Sequence, residues 1–190
     1  MKGGTEEVSF ASNALAEASF GIGIEAQHGG VAHTGRRKCS RPLEPTLPLY
    51  IVLRSSRANG AWSLRRPDLE PRIHQTCYSL AERYGVQILE YVNGGDQLHL
   101  LMLMQSRAGF QAFLRAFAGI TARHVTGARK GKPTGKFWDA LTYSRVLAWG
   151  KEFEAVRGTL ARNELVPLPL SEPPPSRMRA AATNSNSSYA

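Results

Sequence analysis

Residues 94–104 read GGDQLHLLMLM, a glycine turn followed by Gln97-Leu98-His99 at the head of an apolar run that has the length of one buried strand. Side chains alternate along a strand, so Gln97, His99, Leu101 and Leu103 face one way and Leu98, Leu100, Met102 and Met104 the other. An amide and an imidazole thus lie side by side on one face. They are either half of a site or two satisfied polar residues near a strand end, and the rest of the chain has to decide between these readings.

The stretch VQILEYV (86–92) precedes it, and the intervening NGGD is hairpin turn chemistry. Upstream, Leu69, Ile73, Cys77, Leu80 and Tyr84 recur at helical spacing over 68–84, with Gly85 where a C-cap glycine belongs. LYIVLR (49–54) reads as a short strand. Downstream, Phe110, Phe113, Leu114, Phe117, Ile120 and Thr121 form one helical stripe, with Ser106 placed as N-cap and Gly127 beyond the end. FWDALTYSRVL (137–147) is strand-like, and a last helix is expected over 150–164. The order β-α-β-β-α-β-α predicts an α+β fold, a ferredoxin-like antiparallel sheet with helices packed on one face.

Residues 1–45 are rich in Gly, Ala and Ser and end in GRRKCSRP, which reads as a flexible basic arm. Residues 169–190 are Pro-rich and then Ser/Asn-rich, a disordered tail. The expected domain is 46–168, one compact unit of a 190-residue chain. Two cysteines give no disulfide framework, and there is no apolar run of about 18 residues to span a bilayer, so a cytoplasmic protein without membrane association is expected.

Lys and Arg total 24 against 15 for Asp and Glu, a net charge of +9 that favours a polyanionic partner. The cations cluster. Arg54, Arg57, Arg65 and Arg66 surround the first loop; Arg129, Lys130, Lys132 and Lys136 lie in the Gly-rich GARKGKPTGK; Arg145 follows on the last strand. A charge run is ordinarily a solvated face. Here the cations are interleaved with Gly and with Trp62, Phe137 and Trp138, the mixture that nucleic-acid grooves use for charge plus stacking.

Over about 46–166 the chain resembles the single-tyrosine, HUH-type transposases, in particular their REP-associated branch, on the joint run of QLHLL, FWD…YSRV and RNEL. In that family a strand carries histidine-hydrophobic-histidine, and the last helix carries the nucleophilic tyrosine followed four residues later by a polar residue that completes a metal site. The resemblance implies metal-ligand positions at Gln97, His99 and Asn163 and puts Thr159 where the tyrosine belongs, so two of the four active positions are substituted. It implies single-stranded or hairpin DNA as partner, with Mg²⁺ or Mn²⁺ as weak cofactor, and leaves a homodimer open.

The chemistry explains why those substitutions matter. Two imidazoles and a neighbouring polar group can hold a divalent cation that polarises a phosphate, and a tyrosine then attacks the phosphorus. Gln97 offers only a neutral amide oxygen, and Thr159 a short alcohol of much higher pKa with no base beside it. The bland reading makes His99 a hydrogen-bonded strand residue, Asn163 a late-helix amide and Thr159 a helix-surface residue. Tyr143 is the alternative nucleophile considered, though its place in LTYSRVL suits packing or DNA stacking better; Tyr50 and Tyr91 read as strand packing. His28, His33 and Cys39 lack ligand spacing.

Three readings follow: a DNA-binding protein of transposase descent with strand cleavage lost or impaired, an active metal-dependent transposase or single-strand endonuclease, and a small basic RNA- or protein-binding α+β domain.

Overall fold

The computed structural model describes residues 27–30 and 40–162; Asn163 and the expected tail lie outside the described residues. Five strands, β1 (Gln27–His28), β2 (Leu49–Arg54), β3 (Val86–Asn93), β4 (Gln97–Met104) and β5 (Tyr143–Val146), form one sheet in the order β1-β5-β2-β4-β3. Every neighbouring pair is antiparallel. It follows that β3 runs parallel to β2 with β4 between them, and β5 parallel to β4 with β2 between them. These two split β-α-β units are the ferredoxin-like arrangement.

The hairpin turn is closed by Gly94 N–H donating to the Gln97 carbonyl at 2.8 Å and by Gly95 N–H donating to Asn93 Oδ1 at 3.0 Å. Gly95 sits at φ 95°, a backbone conformation that a Cβ would strain, so the glycine is needed there. Helix α1 (Glu70–Arg83) bridges β2 and β3, and α2 (Arg107–Thr126) bridges β4 and β5. The Ser106 hydroxyl accepts from Gly109 N–H at 3.1 Å at the start of α2, and Gly127 closes it in the left-handed region at φ 66°.

The sheet's two faces are separate apolar layers. Leu49, Ile51, Leu53, Leu98, Leu100 and Met102 meet Ile73 and Cys77 of α1 and Phe110, Phe113 and Phe117 of α2. Each of those phenylalanines is fully buried, worth roughly 1.5–3 kcal/mol of transfer free energy apiece. Helix α3 (Lys151–Ala161) lies on the other face, where Phe153, Val156 and Leu160 cover Tyr50, Val52, Leu101 and Tyr143. The expected single-sided placement therefore holds for α1 and α2, while α3 takes the opposite face. The cause is legible in β2 and β4, whose alternate residues are apolar on both sides and need cover on both.

The last strand is shorter than the sequence pattern suggests. Of 137–147 only Tyr143–Val146 is extended in the sheet, because Asp139 is drawn into a loop clamp. Its carboxylate accepts from Ser56 N–H at 2.9 Å and from the Ser56 hydroxyl at 2.8 Å, while its own N–H donates to the Arg54 carbonyl at 3.0 Å. Part of the stretch read as an arm is built into the sheet edge. Gln27 pairs with Arg145 and His28 with Ser144, and the Arg41 guanidinium donates to Ser144 Oγ and, at 2.9 Å, to the Thr142 carbonyl. Among the described residues no helix is long and apolar enough to cross a membrane.

Candidate nucleic-acid interface and the face bearing His99

Gln97 and His99 share the face that α3 covers, opposite Arg54 and Val52 of β2. His99 is 0% exposed, and its Nδ1 lies 2.6 Å from the Tyr50 hydroxyl, with the two rings stacked at 6.0 Å between centroids. Burial holds the imidazole down at about 4, against a smaller opposing pull from the Asp96 carboxylate, so the ring is neutral at physiological pH. Burial likewise drives the Tyr50 phenol far above its ordinary range. The remaining ring nitrogen, Nε2, is buried without a hydrogen-bond partner among the described residues.

The divalent cation that the sequence resemblance implies can be tested against these groups. Mg²⁺ and Mn²⁺ want several hard oxygen ligands, carboxylates among them. At the ligand positions that the resemblance names, the described residues offer one desolvated imidazole, already engaged through Nδ1, and one neutral amide. Among the described residues no group of three or more His, Cys, Asp or Glu is placed to hold a metal ion. The described residues do not fit the cation.

Thr159 is buried rather than on the helix surface, because α3 turns that side toward the sheet, and its hydroxyl donates to the Ala155 carbonyl at 2.9 Å. That is an ordinary use for a threonine within a helix. Tyr143 is buried at 5% exposure with its ring edge-on to Tyr50 at 6.3 Å, and burial raises its phenol. It is a packing residue, out of reach of a stacking base. Tyr91 packs edge-on to His74 at 5.2 Å.

The cations divide into two sets. In the first, each guanidinium has a partner within the molecule. Arg54 lies 4.0 Å from the Asp139 carboxylate. Arg57 sits 4.5 Å over the Trp62 ring and donates to the carbonyls of Thr134 and Lys136, the latter at 2.6 Å, so it ties the first loop to the second. Arg65 donates to the Asn93 carbonyl at 2.6 Å, Arg66 pairs with Asp68, and Arg145 pairs with Glu152 at the start of α3. The Arg66–Asp68 contact raises the guanidinium pKa and lowers that of the carboxyl, in a solvent-exposed pair.

The second set is the exposed turn carrying Arg129, Lys130 and Lys132, closed by Lys132 N–H donating to the Arg129 carbonyl at 3.0 Å. Lys136 stands nearby, its Nζ donating to the Asp139 carbonyl at 2.8 Å. Arg123 in the last turn of α2 joins this set, because it lines the same surface as the turn. The sequence signal for it is its position off the phenylalanine stripe and just before a basic loop.

No protein-family model matches the chain, and no curated protein matches it. Among the solved structures similar to it are two transposases. One is a REP-associated tyrosine transposase bound to a REP hairpin, with a TM-score of 0.50 and 8% identity over 67% of this chain and 72% of that one. The other is a candidate transposase from Deinococcus radiodurans R1, with a TM-score of 0.42 and 16% identity over 68% of this chain and 100% of that one. The molecule is an α+β protein with a ferredoxin-like sheet. Its fold is that of the REP-associated tyrosine transposase.

Proposed function

We propose that this chain binds single-stranded or hairpin DNA without cutting it. The observation that carries the reading is the state of the inherited face: His99 is desolvated and bonded to Tyr50, and the Thr159 hydroxyl is spent on its own helix. A phosphoryl-transfer site needs an accessible nucleophile and a group to stabilise charge on the phosphate. Neither is offered by Gln97, His99, Thr159 or Tyr143.

DNA as the ligand is supported by the net charge of +9, by the exposed Arg129, Lys130 and Lys132, and by a fold shared with a transposase solved on a hairpin. The metal-dependent nuclease reading is weaker, because the described residues supply no ligand set for the cation.

Fluorescence anisotropy with a labelled DNA hairpin, titrated over a range of salt, tests the proposal. If about four phosphates are neutralised, log Kd should change with log salt with a slope of magnitude about 3–4. Absence of binding, or an affinity indifferent to salt, would refute it.

A further inference from the structure

The C-terminal half of α2 and the loop over 128–138 enclose two adjoining hollows of about 350 Å³ and about 470 Å³, which share Arg123, Ala128, Thr134 and Gly135 in their walls. Together they make one open groove. Its floor is made of small residues, Ala118, Gly119 and Ala122, so the helix backbone itself is approachable. A Cβ built on Gly119 would meet nothing within 4 Å, which marks open space above the floor. Trp138 stands in one wall, held by its indole N–H donating to the Ala118 carbonyl at 3.0 Å.

The lips are cationic: Arg123 on the helix side, Arg129, Lys130 and Lys136 on the loop side. Among the described residues, neither hollow is lined by Asp or Glu. A groove with a flat small-residue floor, an indole wall and four cations matches a sugar-phosphate strand, whose charge the lips would neutralise and one of whose bases could lie against Trp138.

Its position is the informative point. Helix α2 packs on the sheet face lined by Leu49, Ile51 and Leu53, whereas His99 belongs to the face under α3. We infer that this groove is the seat of the DNA backbone, on the side of the sheet away from His99 and Thr159. The inference rests on the proposed DNA binding and adds its location. A strand seated here lies out of reach of the residues at the family's catalytic positions, so binding persists without them.

Gly119→Leu fills the floor with an uncharged side chain that helices favour, and Lys130→Ala/Lys132→Ala removes charge from the lip and turn. Arg157→Gln, on α3 and paired with Glu90, is the control on the other face. Each full-length variant is checked for an unchanged circular dichroism melt and then titrated with the labelled hairpin.

The groove predicts at least a tenfold loss of affinity for Gly119→Leu with the salt slope retained. The lysine pair should lose affinity and about two units of slope, and Arg157→Gln should match the wild type. Wild-type binding that survives Gly119→Leu undiminished would overturn the groove while leaving the DNA-binding proposal intact. Loss through the lysine pair alone would mean a solvated charge patch and would likewise overturn it. No binding by the wild type would overturn both.

Discussion

The Tyr50 hydroxyl stands 2.6 Å from Nδ1 of His99, joining the adjacent inner strands β2 and β4 through their side chains beneath α3. This bond converts a ligand-like histidine into a structural one. Removing the phenol oxygen with Tyr50→Phe leaves Nδ1 buried and unsatisfied, which costs about 1–3 kcal/mol. Urea unfolding should show that loss in the midpoint with an unchanged m-value.

The same histidine gives stability a pH dependence whose sign is fixed. His99 has an ordinary value of 6.5 and is held at about 4 in the fold, so between those values the unfolded chain binds a proton that the native one refuses. Its contribution is therefore complete above pH 6.5 and is lost as the pH falls toward 4, on the order of 3 kcal/mol over the whole window. Denaturation of wild type and His99→Gln across this range should give a steeper fall for the wild type. Parallel curves would show that His99 does not titrate as described.

Ser106 caps α2 with its hydroxyl on Gly109 N–H at 3.1 Å. Ser106→Ala should destabilise the protein by about 1 kcal/mol, read as a lower unfolding midpoint, and Ser106→Asp should restore it.

The hairpin and helix α2 could be read from the sequence. The hairpin glycines, the phenylalanine stripe and the Ser106 and Gly127 caps are local signals, and each stands in the structure where its spacing puts it. What escaped depends on partners far along the chain. Asp139 breaks the expected strand over 137–147 through Ser56, 83 residues away, a pairing no window of sequence contains. Arg57 reads as a free cation until Trp62 and the carbonyls of Thr134 and Lys136 are seen around it. Likewise the shared face of Gln97 and His99 follows from strand alternation, but the identity of the group opposite, Tyr50 on another strand, does not.

Placing a tyrosine at position 159, where the sequence resemblance would put the transposase nucleophile, should meet a steric obstacle. Thr159 is buried beside Leu160 and Val156 on the inner side of α3, so Thr159→Tyr must force a much larger side chain into a packed layer. The expected cost is about 1–3 kcal/mol, visible as a lower unfolding midpoint. An unchanged midpoint would mean that α3 can move outward to admit the ring.

A paired gel tests most directly the proposal that this chain binds DNA without cutting it. The full-length chain is incubated with end-labelled hairpin DNA and Mg²⁺ or Mn²⁺, then half is run native and half in denaturant. The expected result is a retarded complex on the native gel, with intact DNA and no protein-linked band on the denaturing one. A nicked product, or a covalent adduct that mass spectrometry maps to Tyr143 or another tyrosine, would contradict the account.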